Sequence, residues 1–229
     1  MKRLFNWLEE EGILDHNPSA RIKTPKPQRT KPKAISPEDF RRLLKTTENE
    51  SPKDLRDRAA MMLLYDTGCR AGGLCGIEVN DLDFDELLVT VTEKGGRTRI
   101  VPITQESAEA LQAWLEVRPQ DRGPCVFVAL ASHSTGALSP NSLWQVLDQR
   151  GEKGGAVDRV NPHSFRHAFA RDFLMEGGDL ATLADLMGNS IEVIVDYYAI
   201  FKFKELQKKH LKHNPLLRVL QKEEEDEED

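Results

Sequence analysis

Two short β-branched runs limit most strongly what this chain can fold into. Leu87-Leu88-Val89-Thr90-Val91-Thr92 and Arg97-Thr98-Arg99-Ile100-Val101-Pro102 are separated by Glu93-Lys94-Gly95-Gly96, a turn composition. The pair predicts one antiparallel hairpin with Lys94 at or beside its tip. Elsewhere the apolar spacing is helical. Ser36-Pro37 caps a helix that runs to about Lys45, and Ser51 caps a second that Gly68 stops. A short helix follows at 71–77, then helices at about 105–117, 140–150, 162–176, 179–187 and 191–200. A lysine-rich one, about 202–213, is ended by Asn214-Pro215. The expected fold is α+β: mainly α-helical with a small antiparallel sheet.

Residues 1–17 carry an apolar stripe of Leu4, Phe5, Trp7, Leu8 and Leu14. A lone helix this short is marginal in water. It is expected either to dock on the body that follows or to be the end of a domain of which most is missing. Arg21, Lys23, Lys26, Arg29, Lys31 and Lys33 then share one stretch with three prolines and no acid. Proline keeps it extended and the charge suits a phosphate backbone. On composition alone it reads equally as a solvated interdomain linker.

The formal charge of −6 includes seven consecutive acids at 223–229, which leaves +1 for the remainder and a tail expected to be disordered. No apolar run reaches membrane-spanning length and no signal-peptide pattern opens the chain. Cys69, Cys75 and Cys125 lack metal-ligand or disulfide-framework spacing and read as small buried apolar residues. A reduced, cytoplasmic protein is the expectation.

The stretch 161–170 carries the clearest chemical signal. Pro162 suits a first helical position, and His163 and Arg166, three apart, project from one side of that helix. A guanidinium and an imidazole beside free helix N–H groups form a place for a phosphate. Arg70 stands earlier, after a Thr67-Gly68 turn, and Tyr197 and Tyr198 stand near the end.

Taken in order, these pieces resemble the tyrosine recombinase (phage integrase) family over nearly the whole chain. Leu64-Tyr65-Asp66-Thr67-Gly68-Cys69-Arg70 is similar to its first arginine box, and 94–103 to its lysine hairpin. Pro162 to Ala170 is similar to its second box, and Leu186-Met187-Gly188-Asn189-Ser190 through Tyr198-Ala199 to its closing box. The resemblance implies a catalytic domain at 35–220, preceded by the remnant of a core-binding domain and a basic linker (1–34) and followed by the acidic tail (221–229).

It also implies a reaction in which a tyrosine attacks a DNA phosphodiester and forms a 3′-phosphotyrosyl intermediate. Ionising a phenol at pH 7 costs about 4 kcal/mol, and the transition state gathers charge on phosphate oxygens. The family assigns Arg70 and Arg166 to the phosphate, His163 to proton handling beside the phenol, and Lys94 to protonating the departing sugar oxygen. Tyr198, nine residues after Asn189, matches the nucleophile, with Tyr197 as the alternative. No metal or other cofactor is implied. Arg97 and Arg99 join the basic stretch as expected contacts to double-stranded DNA, on which the family assembles as a tetramer; alone the chain is expected to be a monomer.

Three departures from the family pattern matter. Asn189 stands where a histidine or tryptophan usually donates to the phosphate. Gly73 stands where an acid commonly supports the first arginine, so Arg70 is expected to be loosened. Most of the core-binding domain is expected to be missing, as in an excised fragment or a natural truncation. The alternatives are a catalytically decayed integrase that binds DNA or a partner, and a type IB topoisomerase-like relaxing enzyme.

Overall fold

The computed structural model describes residues 2–22, 33–93, 95–130, 136–158 and 160–198, with only the backbone for 196–198. The chain divides into two compact units, Met1–Lys31 and Pro32–Asp229. In the first, α1 (Lys2–Glu10) buries none of its side chains, and Leu4 and Trp7 are about half exposed. It stops short of the expected residue 17 because Gly12 turns left-handed at φ 69°. The amides of Ile13 and Leu14 then both donate back to the Leu8 carbonyl. The acidic tail and the helix expected at 202–213 lie outside the described residues.

In the second unit the caps fall where the sequence places them. The Ser36 and Ser51 hydroxyls accept from Asp39 N and Asp54 N, opening α2 (Pro37–Lys45) and α3 (Pro52–Thr67). Gly68 closes α3 in the left-handed region at φ 58°. A Cβ there would lie 2.5 Å from Phe169 Cδ1, so the turn needs glycine for both backbone and space. After α4 (Ala71–Gly76) comes a three-stranded antiparallel sheet of β1 (Leu82–Asp83), β2 (Leu88–Glu93) and β3 (Arg97–Pro102), in that order. The expected hairpin is β2–β3, in register Glu93↔Arg97, Val91↔Arg99 and Val89↔Val101. The two-residue β1, too short to show any alternation, is the addition.

Val89, Val91 and Val101 face inward, and β2 lies against α4. Then follow α5 (Gln105–Val117), α6 (Pro140–Gly154), α7 (Pro162–Met175), α8 (Leu180–Met187) and α9 (Ile191–Tyr198). Trp114, Phe127, Phe165, Leu63, Leu64 and Leu74 fill the main core. Within it, the Trp114 indole donates to Val126 O at 2.8 Å, so the segment 125–128 belongs to the core without forming a strand. A smaller cluster joins α7, α8 and α9 through Ala170, Leu174, Leu183, Met187 and Ile194. Cys69 and Cys75 are buried and Cys125 half-buried, all as free thiols.

One buried ionic group ties α2, α3 and α6 together. The Arg150 guanidinium meets Asp54 and Asp57 at 2.7 Å each and donates to Thr46 O at 2.7 Å, while Arg56 takes the other Asp57 oxygen at 2.7 Å. Arg150→Met strands buried carboxylates. We expect it to lower the unfolding free energy by about 3 kcal/mol, read from the urea midpoint.

Candidate active site

Arg166 sits in the second turn of α7 and is 5% exposed. Its Nη1 donates to Gly68 O at 2.6 Å and its Nη2 to Met187 O at 2.8 Å. Both acceptors are helix C-termini, where carbonyls lack an intrahelical partner and the helix dipole favours a cation. The guanidinium therefore fixes two turns at once, the one that leads to Arg70 and the one that leads to Asn189.

Those two residues meet. Arg70 Nη2 donates to Asn189 Oδ1 at 2.5 Å, and Arg70 Nη1 lies 3.0 Å from Glu93 Oε2. Asn189 thus turns its oxygen to Arg70, and its amide NH2 is the group that can donate elsewhere. The second Glu93 oxygen takes Arg99 Nη1 at 2.7 Å, while Arg99 Nε donates to Leu186 O at 2.9 Å. Burial by itself would raise the Glu93 carboxyl, but hydrogen bonds from Arg99 and Arg70 outweigh it and hold it below the usual carboxylate range. Sequence reasoning missed Glu93, reading it as part of a turn; its one signal was an acid directly before Lys94. Arg70 is accordingly held by a carboxylate, not loosened as Gly73 led us to expect.

The α7 start differs from expectation in one respect. Asn161 Oδ1 accepts from the amides of both His163 (3.0 Å) and Ser164 (3.1 Å), and Ser164 Oγ accepts from Asn161 N. This capping box occupies the first-turn N–H groups that an anion would need. An anion at this site would be bound by side chains.

His163 is exposed; His167, one turn on, is half-buried with its ring 6.4 Å from that of His163. Burial above all, helped by the nearby charges of His163 and Arg166, depresses the His167 imidazole to about 4. It is therefore neutral near pH 7 and packs rather than titrates. Tyr65, the third tyrosine, stacks on Phe40 with ring centroids 4.1 Å apart and donates to Asp172 Oδ2 at 2.9 Å. Burial and the Asp172 charge push its phenol upward, which unfits it as a nucleophile.

Of the remaining expected residues, Arg21 is exposed in the first unit and Arg97 is exposed on β3. Lys33 is exposed and pairs with Asp158 at 2.9 Å. Arg99 points inward: its side chain is 12% exposed, and the guanidinium binds Glu93 and Leu186 instead of facing outward to DNA as expected. Tyr198 is the last residue of α9, whose start lies two residues beyond Asn189. Lys94, Lys23, Lys26, Arg29 and Lys31 lie outside the described residues, as do the side chains of Tyr197 and Tyr198.

His167 makes a pH prediction. Its folded value lies below that of a free imidazole, about 6.5, so between the two the unfolded chain binds a proton that the folded chain refuses. Stability conferred by the neutral ring is complete above about pH 6.5 and lost as pH falls toward 4. Allowing for partial exposure, we expect wild type to lose about 1 kcal/mol more than His167→Gln between pH 7.5 and 5, measured by urea unfolding at both values.

Comparison with known proteins gives the family. Residues 33–204 match the model of the phage integrase family. The tyrosine recombinase XerC of Actinobacillus pleuropneumoniae is 36% identical over 212 residues, covering 91% of this chain and 67% of that protein. The tyrosine recombinase XerD of Neisseria meningitidis is 32% identical over 191 residues, covering 82% and 65%. The chain thus spans about two thirds of the length of these relatives. Among solved structures, XerA recombinase superposes with a TM-score of 0.70 at 26% identity, over 82% of this chain and 67% of that one. XerH bound to its difH substrate before cleavage gives 0.66 at 18% identity over 85% and 58%, a likeness of fold. The chain belongs to the phage integrase family, the family of the tyrosine recombinases.

Proposed function

We propose that this chain is the catalytic part of a site-specific recombinase that cuts and rejoins double-stranded DNA through Tyr198. The observation that carries the reading is that Arg70 bonds Asn189 directly while Arg166 holds the Gly68 and Met187 carbonyls, each two residues before one of them, so that three distant segments converge in the order of the family's motifs. We assign residues 35–220 to the catalytic domain, with 1–34 as the end of a preceding domain and its linker. Assembly on DNA is as a tetramer, in the cytoplasm. Among the described residues no helix is long and apolar enough to cross a membrane.

In this reading the Tyr198 phenol loses its proton to His163 and its oxygen attacks the scissile phosphorus. The bond from phosphorus to the 5′-oxygen breaks, and that oxygen takes a proton from Lys94. The 3′-phosphate is left on the tyrosine, and attack by another 5′-hydroxyl reverses the step and joins a new strand. Charge on the phosphate oxygens is met by Arg70 and Arg166, preset by neighbours that need not move during the reaction. Asn189 adds a neutral donor, weaker than a charged one. Glu93 removes the main reason to regard the chain as decayed, because Arg70 has its carboxylate partner.

Covalent trapping tests this. Nicked duplexes from the source genome, from which a cleaved end diffuses away, are incubated with the protein, and the DNA-linked peptide is mapped by mass spectrometry. We expect an adduct on Tyr198 that Tyr198→Phe abolishes and that Arg70→Ala slows about 10²–10³-fold. An adduct on Tyr197 would correct the nucleophile. No adduct, even with a complete amino-terminal domain supplied, would overturn the reading.

A further inference from the structure

Arg70 and Arg99 meet on one carboxylate, and it comes from the end of a strand. We propose that Glu93 is the residue that positions Arg70 for the scissile phosphate, and that position 73 is glycine because Val91 and this carboxylate close off the space beside it. The proposal rests on the recombinase reading for what Arg70 contacts.

Three observations carry it. First, Glu93 divides its oxygens: Oε2 holds Arg70 Nη1 at 3.0 Å and Oε1 holds Arg99 Nη1 at 2.7 Å. Arg99 is itself anchored to Leu186 O, so Glu93 is fixed from behind and aims Arg70 forward. With Asn189 Oδ1 on Nη2, both terminal nitrogens of Arg70 are set, which orients the guanidinium plane. Its side chain remains 39% exposed, against 9% for Glu93. The reacting group thus faces outward and its support faces inward.

Second, a Cβ on Gly73 would lie 2.8 Å from Val91 Cγ1 and 3.5 Å from Glu93 Oε1. The first distance requires Val91 to shift. The second puts the carboxylate in van der Waals contact with a Cβ at 73, so no room is left between the two for a larger group on that side. Gly73 and Glu93 are therefore one device: the glycine on α4 makes room for the acid on β2.

Third, the charge balance suits phosphate. Without Glu93, Arg70 and Arg99 repel each other in a partly desolvated setting. With it, one negative charge is shared by the guanidiniums of Arg70 and Arg99, so the group holds together and keeps a net positive charge. Glu93 also accepts from Gly96 N through its carbonyl at 3.1 Å, closing the hairpin turn. The same residue that aims Arg70 thus anchors the strand end that leads into Lys94.

The test compares wild type with Glu93→Gln, which keeps the size and loses the charge. On the nicked duplex that yields the wild-type adduct, we expect the single-turnover rate at saturating DNA to fall about 10–100-fold. Apparent DNA affinity should change less than about threefold, because Glu93 contacts Arg70 rather than DNA; Tm falls because Arg99 loses its buried partner, so rates are compared at a temperature where both proteins are folded. A wild-type rate in Glu93→Gln overturns the proposal, and so does a fall in rate that merely tracks loss of affinity. Gly73→Ala is expected to slow cleavage as well, and adding Val91→Ala, which removes the colliding methyl, to restore it; no recovery counts against the space argument. A readout without DNA separates this from the recombinase reading. In the guanidinium NMR signals of the free protein, Arg70 should show slowly exchanging Nη protons in wild type and averaged ones in Glu93→Gln. If wild type forms no adduct, the recombinase reading fails, and these signals alone judge Glu93: unchanged in Glu93→Gln, they overturn its role.

Discussion

A single buried guanidinium is the constraint on which the rest of the site depends. Arg166 lies on the helix that both apolar clusters share, with Phe165 and Ala168 in the larger and Ala170 in the smaller. It donates to the last carbonyls of α3 and α8. Burying a cation is costly unless its donors are met, and two helix C-termini, whose dipoles favour a cation, meet two of them. The arrangement fixes the backbone on either side of the site. Arg70 follows Gly68 by two residues and Asn189 follows Met187 by two, so their encounter depends on where Arg166 holds those turns.

Around this centre, charge is handled in two different ways. Far from the site, Arg150 and Arg56 are matched by Asp54 and Asp57 inside the core, an arrangement that joins helices and leaves no net cation to offer. At the site, Arg70 and Arg99 share the Glu93 carboxylate. The same residue types serve cohesion in one place and an unneutralised positive field in the other. The difference lies in the ratio of acids to guanidiniums within hydrogen-bond reach. A field of this kind suits phosphoryl transfer, in which the protein's contribution is mainly to place fixed positive charge where negative charge develops.

The apolar skeleton serves the same end. Val91 and Val101 seat the hairpin on the body, so the end of β2 approaches α4 closely enough for Glu93 to pass beside Gly73. Phe169 fills the space beside the left-handed Gly68 and so fixes the turn that precedes Arg70. Ile194, fully buried, seats α9 against α7 and α8 and so fixes the helix that ends at Tyr198. Each polar group of the site is thus one or two residues from an apolar anchor, which is how side chains on separate elements are held within hydrogen-bond distance.

Much of this was legible in the residues themselves. Ser36, Ser51 and Gly68 set helix ends through interactions that span at most four residues, so their signals survive in the linear chain; the Asn161 cap is as local and was passed over. The β2–β3 hairpin was legible for the same reason, as were the motifs that place Arg70, His163, Arg166, Asn189 and Tyr198 in order. Tertiary structure alone decided how these groups bond. Arg70 meets Asn189 across 119 residues and Arg166 meets Gly68 across 98, separations at which no local rule acts. It also turned Arg99 inward and gave Glu93 the work of supporting Arg70. An acid beside a turn has the same sequence signature whether it faces water or two guanidiniums, and only the packing of β2 against α4 distinguishes them.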